Sequence, residues 1–338
     1  MKKLPDNQKR RDLKTIPELF KIILTGDKEV ALHTQLTDTV VMVAPKNFGF
    51  NPQTAQTNPF QRQLKDSAEH VQQEALKEFN AMVGALTAED IRVLVLPSRE
   101  DVITPDSIFP NNWFSHHSDG KLVIYPMLAQ NRRDERQANP LALLLKKSNI
   151  SISEIIDLTV DEKQGDFLEG TGSLVLDRVN KVAFAMESPR TTKKEFDKWC
   201  ALMEYEGVLF HAYDAKKFPI YHTNVTMNLG QEFAVICMES IVDADERAQV
   251  EKKLRDLNKD IISLTVDQMH KFCGNVLQVL STDGEPKIIM SESALRGFHP
   301  DQIQKLEKYG KIIAVKIPTI EAIGGGSARC MLAEIFHI

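Results

Sequence analysis

The chain has 338 residues, of which 42% are hydrophobic and 26% are charged. This composition supplies enough apolar surface for a folded core and contains too much charge for a protein embedded in a membrane. The 47 acidic and 42 basic residues give a formal net charge of −5, so the excess of positive charge that nucleic-acid binding requires is missing. We therefore expect a globular protein that binds neither membranes nor nucleic acids.

Residues 1–38 are predicted to form an N-terminal extension, partly helical, with no chemistry of its own. Its charges and the lysine at Lys21 interrupt the apolar stretch that a secretory signal peptide needs. No stretch of the chain approaches the roughly 18 apolar residues of a membrane span. The four cysteines form no closely spaced pair, which argues against a zinc site. We therefore predict a cytoplasmic protein with free thiols and without a bound metal.

Strands and helices are predicted to alternate after residue 38. Residues 40–44 and 92–96 are apolar runs that each end before a proline, which is typical of buried strands. Between them, apolar residues recur at every third or fourth position from Phe60 to Leu86. This spacing predicts one long amphipathic helix over residues 60–86.

The second half of the chain repeats one order of elements: two strands, a helix and a third strand. In one copy the strands are predicted at residues 173–177, 181–186 and 207–211, and Thr192 with Glu195 is typical of a helix start. Further copies begin at residues 225 and 276, and an earlier copy begins near residue 113. The repeat of about 51 residues indicates a solenoid or a propeller.

The fifth copy is predicted to be divided between the two ends of the chain. Only one strand can form after residue 328, and the missing strand, helix and strand are those predicted between residues 40 and 96. We therefore predict a five-bladed α/β propeller of ββαβ units over residues 39–338, a single domain closed by pairing of its N- and C-terminal segments. An ordinary open α/β sheet with coincidental spacing is the alternative.

A closed propeller would bring together the residues that precede the first strand of each unit. These residues include Glu169, His222 and Cys330. Each type is common as a structural residue, but a thiol, an imidazole and a carboxylate together can perform covalent catalysis. The thiolate attacks, the imidazole transfers protons and the carboxylate orients the imidazole.

Further residues near the cysteine could assist it. A charged His222, or Arg329, could favour the thiolate. The glycine run 324–326 could present N–H donors to a developing oxyanion. The remaining cysteines are expected to be structural: Cys200, Cys237 and Cys273.

Five short motifs occur in order between residue 109 and the end of the chain. They lie at residues 109–113, 168–173, 188–191, 221–224 and 324–331. In this order they resemble the guanidino-group-modifying superfamily of arginine deiminases, dimethylarginine hydrolases and amidinotransferases, and look most like its citrulline hydrolases (citrulline ureidases). The resemblance implies the pentein fold, which is a five-bladed α/β propeller. It also implies catalysis by Cys330, His222 and Glu169 without a metal or cofactor.

Departures from the motifs of arginine deiminases indicate the substrate. Asn112 and Asn224 stand where those enzymes carry aspartates that bind the guanidinium, and Gly172 stands where an acid is usual. A buried guanidinium without a paired carboxylate is unfavourable, whereas an amide can both donate to and accept from a neutral ureido group. We therefore predict hydrolysis of citrulline to ornithine, carbon dioxide and ammonia through a covalent intermediate on Cys330. A turn-capping role is the alternative for Asn224.

The resemblance also implies residues that bind the amino-acid end of the substrate. Arg190 resembles the arginine that binds the carboxylate, and one of three nearby arginines, of which we favour Arg133, could assist it; the three are Arg132, Arg133 and Arg136. Phe109 begins the first motif. Asp106 either binds the substrate ammonium or caps the turn at Phe109.

Several alternatives stay open at this level. The same residues could serve arginine deimination, dimethylarginine hydrolysis or amidino transfer. A non-enzymatic propeller that only binds a partner is a further alternative. Such a protein would not need a thiol, an imidazole and a carboxylate in register. A small-molecule substrate is the only partner predicted, and assembly into a homo-oligomer is left open.

Overall fold

The computed structural model describes residues 34–337. The predicted helix near the start of the N-terminal extension lies outside the described residues. Within the described part, the chain forms a mixed α/β fold with five small sheets of three strands each. The predicted alternative of one open sheet is therefore wrong, because the strands pair in separate groups of three.

All five sheets have the same strand pattern. In each sheet the middle strand pairs antiparallel with one neighbour and parallel with the other. The strand orders are β15-β1-β2, β3-β4-β5, β6-β7-β8, β11-β10-β9 and β12-β13-β14. The strands are β1 Thr39–Ala44, β2 Arg92–Pro97, β3 Phe114–His116, β4 Lys121–Ile124, β5 Glu154–Asp157, β6 Leu174–Asp177, β7 Val182–Met186, β8 Glu206–Phe210, β9 Met227–Leu229, β10 Phe233–Ile236, β11 Asp260–Ser263, β12 Leu277–Leu280, β13 Pro286–Ser291, β14 Lys311–Val315 and β15 Ala333–Ile335.

One sheet combines strands from both ends of the described chain. β1 pairs antiparallel with β15, so that Val40 lies opposite Glu334. On its other side β1 pairs parallel with β2, and Val40 lies opposite Val93. The predicted pairing of the two terminal segments is confirmed. Closure of all five sheets around a common axis stays a prediction.

The longer helices connect the second and third strands of the repeat, as parallel pairing requires. They span Ala68–Ala88, Ala138–Lys147, Lys193–Met203, Ala244–Asp256 and, as a pair, Glu292–Gly297 and Pro300–Leu306. The predicted helix start at Thr192 is confirmed, because its side chain accepts a hydrogen bond from the Glu195 N–H. Thr192 thus supplies the side-chain oxygen that pairs a backbone N–H group left without a partner at the helix start.

The first long helix is shorter than its apolar spacing predicts. It begins at Ala68, after Ser67 accepts a hydrogen bond from the His70 N–H. Phe60, predicted to lie on the buried face of this helix, lies instead in a loop. Its ring packs 5.4 Å from that of Phe272 and 6.2 Å from that of Tyr221, between centroids. Its apolar character therefore serves a contact between distant segments rather than the helix face.

In four of the five units, a single helical turn precedes the first strand. The sequence did not predict these turns. These turns are Pro110–Asn112, Gly170–Ser173, Thr223–Thr226 and Ala328–Met331. They contain or directly follow the motif residues, so they set the direction of the site's side chains. Among residues 34–337, no helix is both long and apolar enough to cross a membrane.

The helix Ala68–Ala88 offers a test of the fold. Gly84 lies on its exposed face, and a Cβ added there would meet no atom within 4 Å. Since glycine loses more backbone entropy than alanine in a helix, we expect Gly84→Ala to raise the free energy of unfolding by about 0.5–1 kcal/mol. Urea unfolding of the two proteins measures this difference. A lower stability of the variant would contradict the helix as described.

Candidate active site

The predicted catalytic residues lie on the single helical turns. Glu169 directly precedes the turn Gly170–Ser173, and His222 directly precedes the turn Thr223–Thr226. Cys330 lies within the turn Ala328–Met331. All three side chains are buried. Because each turn leads into a strand of a different sheet, their meeting depends on how the sheets pack.

His222 and Cys330 line one cavity. Four of the predicted substrate-binding residues line it as well: Asp106, Phe109, Asn112 and Arg190. Arg132, one of the three candidate arginines, and Tyr221 of the motif 221–224 also line it, together with three residues that the sequence did not single out: Thr54, Asn58 and Gln61. The structure thus places the thiol and the imidazole at a shared cavity.

Glu169 holds the imidazole of His222. The Glu169 Oε2 atom lies 2.8 Å from His222 Nε2, 3.5 Å from Arg190 Nη1 and 3.9 Å from Arg132 Nη1. Burial alone would raise the pKa of Glu169, but Arg190 and His222 outweigh this and lower the pKa to about 2. The carboxylate is therefore ionised and engages the Nε2 side of the ring, which leaves Nδ1 for the reaction.

His222 is neutral at neutral pH. Burial lowers the pKa of His222 to about 4, although the Glu169 carboxylate acts in the opposite direction. The expectation that a charged His222 favours the thiolate in the resting protein is therefore not met. Nor does the Arg329 guanidinium supply this charge by direct contact, since it donates to the Leu332 carbonyl and to Glu334. A neutral imidazole suits a base that accepts the thiol proton during the reaction.

Two asparagines contact the sulfur of Cys330. Asn275 Nδ2 lies 3.2 Å and Asn224 Nδ2 lies 3.5 Å from Sγ. N–H donors stabilise negative charge on sulfur. The turn-capping alternative for Asn224 is wrong, because its side chain contacts the Cys330 sulfur instead. Asn275 was not predicted as a site residue. Like the predicted residues, it lies just before the first strand of its unit, and this shared position could have identified it.

Asn112 is oriented by Arg132. Its Oδ1 accepts a hydrogen bond of 2.8 Å from Arg132 Nη1, and its Nδ2 has no hydrogen-bond partner among the described residues. Arg132 is itself buried and donates to Glu135 at 2.8 and 2.9 Å. The Asn112 amide therefore keeps its NH₂ group, rather than its oxygen, free of a partner.

Arg133 does not line the cavity in which we expected it. Its Nε donates to the Met127 carbonyl at 2.9 Å, and its Nη1 donates to Gln130 at 3.0 Å. The neighbouring Arg132 faces the site instead. The two adjacent arginines lie on one helical turn, so their side chains point in different directions, and composition alone does not tell them apart.

Residues 51–62 contribute three side chains to the lining of the cavity. Arg190 donates to the Thr54 carbonyl at 3.0 Å and to Thr57 Oγ1 at 2.9 Å. Gln61 donates to the Gly324 carbonyl at 3.1 Å, and Asn58 donates to the Gly325 carbonyl at 3.3 Å. The glycine run, expected to offer N–H donors, thus uses two of its carbonyl groups to hold this loop.

Asp106 keeps one oxygen free. Its Oδ2 accepts from Asn51 at 2.8 Å and from Thr54 at 2.9 Å, whereas its Oδ1 has no partner within the described part of the chain. Burial raises the pKa of this carboxyl. The side chain does not cap the turn at Phe109, because the Phe109 N–H bonds the main-chain carbonyl of Asp106.

The side chains around Gly172 leave no space for a larger residue. A Cβ added there would lie 2.3 Å from Asn112 Nδ2 and 2.9 Å from the imidazole of His222. Real Cβ atoms do not approach this closely, so any larger residue must displace one of the two groups. Among residues 34–337, no group of three or more His, Cys, Asp or Glu side chains could hold a metal ion.

A comparison with protein families identifies the family. Residues 44–337 match the model described as N,N dimethylarginine dimethylhydrolase, eukaryotic. The chain belongs to this family. The resemblance to the guanidino-group-modifying superfamily is thereby confirmed. No curated protein matches the sequence.

Solved structures with similar folds come from enzymes of low sequence identity. One is apo ArgZ, an arginine dihydrolase from the ornithine-ammonia cycle in cyanobacteria, with 17% identity, a TM-score of 0.68 and coverage of 89% of this chain and 41% of ArgZ. This chain thus spans about two fifths of that enzyme. The substrate-bound N-terminal domain of ArgZ has 17% identity, a TM-score of 0.67 and coverage of 88% and 98%. A cysteine-to-serine mutant of DDAH from Pseudomonas aeruginosa, complexed with citrulline, has 17% identity, a TM-score of 0.58 and coverage of 88% and 98%.

The close contacts of Gly172 predict that a larger residue at this position lowers the activity without unfolding the protein. We expect Gly172→Ala to reduce kcat/KM by roughly 10²-fold or more, because its Cβ displaces Asn112 or His222 from its position. Steady-state kinetics and circular dichroism check activity and folding together. Gly84→Ala adds the same methyl group on an exposed helix and serves as the control. Unchanged kinetics in Gly172→Ala would show that neither neighbour acts in the reaction.

Proposed function

We propose that the protein is a cysteine hydrolase that cleaves the ureido group of citrulline and releases ornithine, carbon dioxide and ammonia. The orientation of Asn112 carries this choice. Its oxygen is bound by Arg132, so the group that it offers to a substrate is an N–H donor. A ureido group has a carbonyl oxygen that accepts this hydrogen bond, whereas a guanidinium has only donors.

The charges around Asn112 support the same substrate. Arg132 Nη1 lies 2.8 Å from the Asn112 oxygen, so a substrate guanidinium at Asn112 would lie beside a second buried cation. Unpaired buried charges are unfavourable by several kcal/mol. A neutral ureido group avoids this repulsion.

The first half-reaction uses His222 as base and then as acid. Neutral His222 accepts the proton of the Cys330 thiol while the sulfur attacks the ureido carbon, and Asn112 donates to the oxygen as negative charge develops there. The imidazolium then gives its proton to the nitrogen of the ornithine side chain. The C–N bond breaks, ornithine leaves, and a carbamoyl group remains on the sulfur.

The second half-reaction reverses these roles. His222 accepts a proton from water, the resulting oxygen nucleophile attacks the carbamoyl carbon, and the C–S bond breaks. The sulfur recovers its proton from His222. The released carbamate decomposes to ammonia and carbon dioxide. Glu169 stabilises the imidazolium in both halves, because it is ionised and bonded to Nε2.

Two groups are assigned to the amino-acid end of citrulline. The free Oδ1 of Asp106 accepts from the substrate ammonium, and Arg190, which also lines the cavity, pairs with the substrate carboxylate. We further propose that the five sheets close into a propeller with this cavity at one end of its axis. The repeated strand pattern and the shared sheet of the chain ends support this closure.

Arginine is the second candidate substrate. The chain belongs to the dimethylarginine dimethylhydrolase family, and ArgZ, whose fold is similar, is described as an arginine dihydrolase. An enzyme of this kind would hydrolyse a guanidino group first and the resulting ureido group second, with the same cysteine and histidine. The two candidates differ in whether the cavity accepts a cation.

Product analysis distinguishes the candidates. We expect the pure protein to release ornithine and ammonia from citrulline, and Cys330→Ala to lower that rate by at least about 10³-fold while remaining folded. Parallel reactions with arginine and N,N-dimethylarginine are analysed for citrulline, ornithine and the released amine. Conversion of arginine with citrulline left intact would contradict the proposal.

Replacement of Asn112 tests the choice of substrate. Asn112→Asp puts a carboxylate oxygen in place of the unpaired NH₂ group, so we expect the ratio of kcat/KM for arginine to that for citrulline to rise by about tenfold or more. Asn80→Asp makes the same change on the exposed face of the helix Ala68–Ala88 and is the matched control. A ratio that is equal in both variants would mean that Asn112 does not contact the reacting group.

A further inference from the structure

A second cavity is lined by Arg329, the residue that precedes the proposed catalytic cysteine. Residues of β6, β9, β12 and β15 line it, together with Gln35 and Leu36. Arg329 lines this second cavity, whereas the next residue, Cys330, lines the first. The proposed reaction does not use any of the polar groups in the second cavity.

The amide oxygens around the second cavity are already occupied. Gln35 Oε1 accepts from the Arg178 N–H at 2.8 Å, and Gln278 Oε1 accepts from the Gln231 N–H at 2.7 Å. Asn228 Oδ1 accepts from the Leu229 N–H at 2.9 Å. Each of these amide oxygens thus already accepts one hydrogen bond.

Two buried donors remain unpaired at the same cavity. Asn228 Nδ2 and Arg329 Nε have no hydrogen-bond partner within residues 34–337, and their residues are 5% and 4% exposed. The other two nitrogens of the Arg329 guanidinium are bound, to the Leu332 carbonyl and to Glu334, both at 3.0 Å. Buried N–H groups are nearly always paired, so these two indicate a ligand that accepts hydrogen bonds.

The charge of the lining is positive. Its charged residues are Arg178, Arg329 and Glu334. The one carboxylate contacts both arginines, at 3.4 and 3.0 Å, so one positive charge is left without a partner in the lining. The neighbouring His117 adds no charge, because burial holds its pKa well below the usual value. Buried charges are normally paired.

We propose that the second cavity binds a small monovalent inorganic anion, of the halide class, between Asn228 Nδ2 and Arg329 Nε. Such an ion accepts from both unpaired donors and neutralises the remaining positive charge. A water molecule would also accept from the donors, but it would leave the positive charge unpaired. The proposal does not depend on which substrate the first cavity takes.

The proposed anion site is connected to the cysteine through the main chain. The Arg329 N–H donates to Asn275 Oδ1 at 3.0 Å, and Asn275 Nδ2 donates to the Cys330 sulfur at 3.2 Å. An anion that holds the Arg329 side chain would therefore stabilise the turn that carries Cys330. Because it binds the folded chain, it would also raise the melting temperature by mass action.

Thermal unfolding of the full chain tests binding in solution. Sodium bromide or chloride is titrated against sodium gluconate at constant ionic strength, so that only the anion changes. We expect a saturable rise in Tm of about 2–4 °C at tenfold excess over Kd. Asn228→Asp keeps the acceptor for the Leu229 N–H and replaces the free NH₂ group with a built-in negative charge. We expect this variant to have a higher Tm in gluconate than the unaltered protein and to lose the halide response, whereas Asn80→Asp retains it.

Crystals grown in bromide locate the ion independently of any variant. We expect an anomalous peak within hydrogen-bonding distance of Asn228 Nδ2 and Arg329 Nε. Absence of this peak, or a peak without a saturable Tm response, would mean water or an adventitious ion only and would overturn the proposal. An equal halide response in Asn228→Asp, or stabilisation by sulfate but not by halides, would overturn it as well.

Discussion

The antiparallel ladder between β1 and β15 joins the first and last strands of the described chain. The turn Ala328–Met331 directly precedes β15, so this ladder holds the Cys330 backbone against the rest of the protein. Its pairing closes nearly the whole chain into one loop, for which the entropy penalty grows only with the logarithm of loop length. Once the ladder forms, Cys330 lines the same cavity as His222, which precedes it by more than a hundred residues.

A buried group of charges determines what the first cavity can accept. Arg132 and Arg190 flank the Glu169 carboxylate, and together with His222 they keep it ionised despite its burial. Burial in turn keeps His222 neutral, so a base is available at neutral pH. Arg132 also binds the Asn112 oxygen, and this contact leaves the amide donor as the group free for the substrate. The proposed preference for a neutral ureido group therefore rests on a guanidinium that belongs to the protein itself.

The turn Ala328–Met331 lines two cavities of different character. Cys330 faces a space with donors, a base and a free carboxylate oxygen, and Arg329 faces a space whose unpaired polar atoms are both donors. Asn275 contacts both sides, since it accepts from the Arg329 N–H and donates to the Cys330 sulfur. Changes at one cavity can therefore reach the other through a single amide side chain.

The sequence by itself determined the repeated strand pattern, the helix start at Thr192 and the candidate trio of Glu169, His222 and Cys330, because periodicity, capping and register are local properties. Only the tertiary structure decided that Phe60 leaves the helix, that Arg132 rather than Arg133 faces the cavity, and that residues 51–62 contribute to its lining. Those outcomes depend on partners far away in the chain, such as the Arg190 contact with Thr54. Side-chain direction on a single helical turn depends on these distant partners, and no periodicity in the sequence records it.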